Sequence, residues 1–118
     1  MPKMISIKIN KARVKAELAE SFWQKAVGLM FRKELKPNQA LLFPFSYDSY
    51  HAIWMLGMNF PIDIIWLSSG KKVVGMSEKA QPWSPDIFYP RQRARYVLEL
   101  QSGFCKKHGI KIGSSAVF

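Results

Sequence analysis

The chain has 118 residues and a formal net charge of +10, and 48% of its residues are hydrophobic. Its length suits one domain that buries about two-thirds of the surface exposed by the unfolded chain, so we predict a single domain over residues 1–118. The hydrophobic content excludes a disordered chain, and no apolar run is long enough to span a membrane. Because Cys105 is the single cysteine and the N-terminus lacks an apolar secretory segment, we expect a cytoplasmic protein. We also expect a monomer.

The first part of the chain predicts a β-hairpin. Apolar side chains occupy every second position in residues 5–9 and again in residues 12–18. A two-residue turn at residues 10–11 puts all of these side chains on one face, with Ile7 opposite Val14.

A short helix and a buried strand are expected next. Ser21 and Gln24 fit a capping box, and the helix that they begin ends at Gly28. The apolar run Ala40–Phe45 predicts a strand, in which Pro44 indicates either a sheet edge or the end of a ladder.

The second half alternates strand patterns with turn signals. Its predicted elements are a strand at 61–67, a return strand at 72–78, an irregular loop at 81–90, a strand at 94–100, a helix capped by Ser102 and a closing strand at 110–113. This order predicts a β-dominated α+β domain with two short helices, whose strands curl into an open or closed barrel-like sheet.

Several sequence blocks resemble domain-of-unknown-function family 192, also called uncharacterised protein family 0127. The blocks are GLMFR (28–32), LLFPF (41–45), WM (54–55), PIDIIWL (61–67), YVLEL (96–100) with Gly103 after it, and IKIG (110–113). The resemblance implies a compact β-rich domain, secreted in some members and cytoplasmic in others, without an agreed activity. The chain departs from the family pattern at residues 39–41, 56–58 and 113–114.

Asp63 is a carboxylate in the most apolar stretch of the chain. In a strand it shares a face with Ile65 and Leu67, so its charge must be paired or hydrogen-bonded. Two interpretations stay open: an internal anchor held by backbone amides or by an arginine such as Arg32, and an acid that contacts a ligand. Glu99 lies in a similar apolar setting, so a carboxylate pair is a further hypothesis.

Three arginines recur at alternate positions, namely Arg91, Arg93 and Arg95. Such a row suits phosphate or carboxylate groups, and it equally suits a charged sheet edge that prevents aggregation. The cysteine and the two histidines are widely spaced, so we expect no metal site and no cofactor.

Three functions follow from these residues. The leading hypothesis is a non-enzymatic binding domain with a cleft for a small anionic or peptide-like ligand, lined by Trp54, Met55 and Asp63 and rimmed by Arg93 or Arg95. The second is a nucleic-acid-binding accessory protein, and the third is a hydrolase-like enzyme that uses Asp63 and Glu99. The polyanion-binding residues of the second hypothesis are the three arginines with Lys71, Lys72, Lys106 and Lys107.

Overall fold

The N-terminal hairpin forms with the predicted register. Strand β1 (Met4–Ile9) pairs antiparallel with β2 (Ala12–Leu18), and Ile7 lies opposite Val14. Asn10 in the turn has a φ of 55°, a conformation that asparagine tolerates better than most residues. The computed structural model describes residues 3–30 and 32–118, so Phe31 of the GLMFR block lies outside the described residues.

The described residues form nine strands and two short helices. After the hairpin come α1 (Phe22–Val27), β3 (Gln39–Ser49), β4 (Ile53–Trp54), β5 (Ile62–Leu67), β6 (Val73–Ala80), β7 (Ile87–Phe88), β8 (Ala94–Gln101), α2 (Phe104–Lys107) and β9 (Ala116–Val117). The predicted capping box of α1 is present, with the side chains of Ser21 and Gln24 each accepting hydrogen bonds from backbone amides at the helix start.

Seven strands form one curled sheet in the order β6-β5-β8-β3-β2-β1-β9. The two ends of this sheet approach each other. Lys72 beside β6 makes an antiparallel bridge with Ser115 beside β9. The backbones of Val73 and Ser114 add a hydrogen bond of 2.8 Å at the same place. The predicted β-dominated fold with a barrel-like sheet is therefore confirmed as a curled half-barrel.

At β5 both faces of the sheet are buried, so this strand has no exposed residue, whereas β1 and β2 expose alternate residues. The inner face carries alternate residues such as Ile65 of β5 and Leu98 of β8. The outer face carries Trp66 and Val97, covered by the segments around α1 and β4. Alternation in a strand thus assigns each side chain to one of two separate cores.

Three sequence predictions differ from the structure. Residues 110–113 are not a strand, since the closing strand is β9 further along the chain. Helix α2 begins after Gly103, and its N-cap makes no side-chain hydrogen bond, so Ser102 is not its cap. The loop at 81–90 contains β7, which pairs antiparallel with β4, with Trp54 opposite Ile87 in the register.

Pro44 lies where the strand pairing of β3 changes inside the sheet. The parallel pairing of β3 with β2 stops at Leu42, and the register with β8 shifts between Pro44 and Ser49. Pro44 is not at a sheet edge, because β3 lies between β8 and β2, and the pairing with β8 resumes at Ser49 after the irregularity. Within the described ranges, no helix is both long and apolar enough to cross a membrane.

Candidate functional site

The candidate site lies on the outer face of the sheet, around Glu99. Glu99 of β8 sits between Leu41 of β3 and Ile64 of β5 in the strand register. It shares its face with Val97, which belongs to the outer core, as the alternation in the sequence predicts. Its carboxyl group is therefore held by a rigid sheet and points toward the covering loops.

A cavity of about 620 Å³ lies against this part of the sheet. Its walls come from α1 and the turn after it, from the second half of β3, and from the segment around β4. Most lining side chains are apolar or aromatic, and the lining includes Lys25, Val27, Met30, Phe43, Phe45, Tyr47, Ile53, Trp54, Met58 and Ile87 together with Glu99. This size and composition are typical of sites for small organic groups.

Burial makes Glu99 a weak acid. The side chain is 4% exposed, and desolvation raises its pKa to about 8, although the charge of Arg32 acts in the opposite direction. Nη1 of Arg32 lies 2.6 Å from a carboxylate oxygen of Glu17. The Glu17 carboxylate therefore neutralises much of the charge of Arg32. At pH 7 Glu99 is mostly protonated, and its carboxyl group can donate a hydrogen bond into the cavity.

An aromatic cluster forms one wall of the cavity. The rings of Phe45 and His51 stack with centroids 3.5 Å apart, and Nε2 of His51 lies 3.2 Å from the carbonyl oxygen of Tyr47. Burial lowers the pKa of His51, so its ring is neutral at pH 7. The ammonium of Lys25 stands 4.3 Å from the centroid of Phe45, in a cation–π contact at the cavity.

Asp63 has a different role, on the inner face of the sheet. It is fully buried, and its carboxylate accepts hydrogen bonds from the backbone amides of Lys79, Gly103 and Cys105 at 2.9, 3.2 and 2.9 Å. These bonds tie β5 to the bulge of β6 and to the start of α2. This geometry is that of the internal-anchor interpretation. The partners of Asp63 are backbone amides, and Arg32 is not among them.

Cys105 and Glu78 lie close to Asp63, and their possible ligand atoms fall within 4.8 Å of one another. The group is poorly suited to a metal ion, because the oxygens of Asp63 already accept three amide hydrogens. Burial and the charge of Asp63 raise the pKa of the Cys105 thiol far above its usual range, which keeps the sulfur protonated. The cluster is better described as part of the anchor.

The two candidate carboxylates do not form a pair. Their strands are adjacent, but Asp63 lies opposite Leu100 in the register and Glu99 lies opposite Ile64, so they point to opposite faces of the sheet. The register contradicts the hypothesis of a hydrolase built on Asp63 and Glu99, because the sheet lies between the two carboxyl groups.

The structure also divides the residues predicted to line one cleft. Trp54 lines the cavity and is 57% exposed. Met55 is fully buried in the outer core, and Asp63 lies on the opposite face of the sheet. Arg93 is exposed outside the cavity lining, and Nε of Arg95 lies 2.8 Å from Asp48 in an ion pair. Only Trp54 of the five residues therefore reaches this cavity.

The predicted polyanion-binding residues fall into two groups. Arg91, which is exposed, precedes β8, and Lys71 and Lys72 lie in the β5–β6 turn, near the end of β8 where Tyr96 pairs with Leu67. The exposed Lys106 and Lys107 follow the opposite end of that strand. The strand β8 thus separates the two groups of cations.

One wall of the cavity has a recognisable pattern in the sequence. The predicted strand ended at Phe45, before that pattern does. Phe43, Phe45 and Tyr47 occupy alternate positions and line the same wall. This spacing is the mark of one strand face continuing beyond Phe45. Lys25 and Met30 carry no such signal, because their place at the cavity depends on how the turn after α1 folds over the sheet.

Sequence comparison finds similar proteins along most of the chain. Residues 5–118 match the family model DUF192, described as "Uncharacterized ACR, COG1430". A UPF0127 protein of Pyrococcus horikoshii is 37% identical over 99 residues, which cover 80% of this chain and 76% of that protein. A UPF0127 protein of Pyrococcus furiosus is 30% identical over 106 residues, which cover 88% of this chain and 86% of that protein.

Two crystal structures have a similar fold. One is a proposed transcription regulator from Sinorhizobium meliloti, with a TM-score of 0.93 and 27% identity over 98% of this chain and 94% of that one. The other is a protein of unknown function from Novosphingobium aromaticivorans, with a TM-score of 0.91 and 25% identity over 98% of this chain and 85% of that one.

Proposed function

This chain belongs to the DUF192 family, as its motifs predicted, and since no function is established for that family we propose one from the geometry: a small binding domain without catalytic residues. Its ligand is a peptide-like group, with an apolar side chain that enters the cavity and an amide carbonyl that meets Glu99. The observation that carries this proposal is a cavity of about 620 Å³ with apolar walls and one buried, protonated carboxyl group.

The chemistry of the cavity supports this ligand class. A protonated carboxyl group donates a hydrogen bond that a carbonyl oxygen can accept, and the surrounding low dielectric strengthens that bond. Aromatic walls at Phe45 and Trp54 favour a flat or branched apolar side chain. The sequence analysis also named an anionic ligand. For such a ligand the described lining offers one cation, Lys25, and its Glu99 is neutral.

The test is a titration with N-acetyl-phenylalanine amide, followed by NMR at pH 7. We expect shifts of the Glu99 and Trp54 resonances and saturable binding. Glu99→Met, which keeps the volume but removes the donor, should weaken binding by about tenfold, whereas Glu99→Gln, which keeps a donor, should bind like the parent protein.

Trp83→Ala is the matched control for Trp54→Ala. Both tryptophans are more than half exposed, but Trp83 is not in the described cavity lining. We expect Trp54→Ala to weaken binding and Trp83→Ala to leave it unchanged. An equal loss in both variants, or the absence of any saturable binding, would contradict the proposed function.

Nucleic-acid binding is a second candidate. It is favoured by the net charge of +10 and by the similarity to a proposed transcription regulator. The contact surface would be Arg91, Arg93, Lys71 and Lys72, at one end of β8. Fluorescence anisotropy with labelled RNA and duplex DNA over a salt series tests it. Submicromolar binding near physiological salt supports this candidate, and binding confined to low salt reduces it to general charge attraction.

A further inference from the structure

The outer face of the β1–β2 hairpin carries three exposed cations. Lys8 of β1 lies directly opposite Arg13 of β2, and Lys15 is the next exposed residue of β2. The residues that alternate with them, such as Ile7 and Val14, belong to the inner core. All three cations therefore point to the other side of the sheet. We call Lys8, Arg13 and Lys15 the hairpin patch.

The neighbours of the hairpin patch in the sheet are uncharged. Val117 of β9 lies beside Lys8. Lys15 lies between Ser6 of β1 and Gln39 of β3. The ion pairs of residues 3–30 and 32–118 include none of the three patch cations.

The pairing of Lys8 with Arg13 is unfavourable for the sheet alone. Like charges that lie directly opposite each other destabilise a strand pair. The next residue of β2 on this face is Glu17, but its carboxylate is paired with Arg32 at 2.6 Å. The hairpin patch thus keeps its positive charge at some cost in stability, as is typical of a surface whose partner supplies negative charge.

The surroundings of the hairpin patch are also cationic. Residues 3–16 include five Lys and Arg, residues 100–118 include three, and neither segment has an Asp or Glu. The two segments are in contact, because the side chain of Asn10 donates hydrogen bonds to the carbonyl oxygens of His108 and Gly109 at 2.9 and 3.1 Å. The positive charge is therefore concentrated locally, around this hairpin.

We propose that the hairpin patch binds the phosphate backbone of a nucleic-acid double helix. Lys and Arg bind phosphates without reading the bases. The described neighbours of the patch in the sheet include no aromatic residue on which an unpaired base could stack, which favours a duplex over a single strand.

A membrane surface fits the hairpin patch less well than a duplex does. Exposed tryptophans are the side chains that anchor a protein in a lipid interface. The exposed Trp54 and Trp83 belong to β4 and to the loop before β7, and neither β4 nor β7 pairs with the hairpin. The patch also differs from the nucleic-acid surface considered above, since Arg91 and Arg93 precede β8.

The experiment measures the fluorescence anisotropy of a labelled DNA duplex of about 12 base pairs over a salt series. The protein is 30 Å across, and a duplex rises about 3.4 Å per base pair, so this length accommodates one molecule. We expect the double variant Arg13→Gln with Lys15→Gln to bind more weakly. The slope of log affinity against log salt should fall by about two, because each lost phosphate contact removes about one.

The matched control is the double variant Arg91→Gln with Arg93→Gln. It removes two exposed charges at the same sequence spacing and should keep the salt slope of the parent protein. The hairpin variant should denature at the parent midpoint or above it, since it removes the repulsion between Lys8 and Arg13. It should also bind N-acetyl-phenylalanine amide like the parent protein, because the cavity lies at β3 and β8.

Four results would overturn the inference. Equal losses of slope in the two double variants would show general charge attraction. A loss confined to the control would move the nucleic-acid contact to the start of β8. Tighter binding of a single strand than of the duplex would exclude the double helix as the partner. Binding to vesicles of anionic lipid, with none to DNA, would make the hairpin patch a membrane contact.

Discussion

Asp63 shows how one residue can be predicted from its neighbours. The alternation of β5 places its carboxylate among apolar side chains, where burial without partners is too costly. That reasoning predicted a paired or hydrogen-bonded carboxylate and left two interpretations open, an internal anchor and an acid that contacts a ligand. The particular donors could not be predicted, because Lys79 and Gly103 lie 16 and 40 residues away in sequence.

Replacing Asp63 with alanine should destabilise the fold. The change leaves three backbone amides without acceptors in the protein interior, which costs about 1–3 kcal/mol in the free energy of unfolding. Guanidinium denaturation measures this loss. Asp86→Ala is the control, since Asp86 is exposed and its removal should change stability by about 0.5 kcal/mol or less. Equal midpoints for Asp63→Ala and the parent protein would refute the anchor.

At the scale of elements, the hairpin was predictable and the interrupted strand was not. The register of β1 and β2 follows from two alternating patterns that permit one alignment. Pro44 indicated either a sheet edge or the end of a ladder, but the five-residue step to Ser49 depends on the path of β8, which local sequence does not encode. The pairing of β4 with β7 was also not predicted, because each of these strands has two residues and carries no alternating pattern.

Gly75 holds β6 close to the loop before β8. A Cβ at this position would lie 2.7 Å from Cβ of Pro90 and 3.2 Å from the ring of Trp66. We expect Gly75→Ala to destabilise the protein by about 1–3 kcal/mol through overpacking, measured as a lower denaturation midpoint. Gly70→Ala is the control, because its nearest neighbour is Oγ of Ser68 at 3.8 Å. Indistinguishable midpoints for the two variants would show that β6 can move away from Pro90.

At the scale of the whole molecule, the sheet divides the protein into two compartments with different roles. The inner core is closed by the bridge between Lys72 and Ser115 and by the anchor at Asp63. The outer core is covered by short segments that leave the cavity above Glu99. The sequence indicated a curled β-dominated fold, but it placed Trp54 and Asp63 in one cleft, because strand patterns do not say which face the covering segments protect.

The most direct test of the cavity site is the pH dependence of its affinity for N-acetyl-phenylalanine amide. Burial raises the pKa of Glu99 to about 8, so the protonated donor is present at pH 7 and lost as the pH rises through 8. We expect binding about tenfold weaker at pH 9 than at pH 7 in the parent protein, and no such change in Glu99→Gln. Equal affinity at both pH values in the parent protein, or the same loss in Glu99→Gln, would contradict the role of the Glu99 donor.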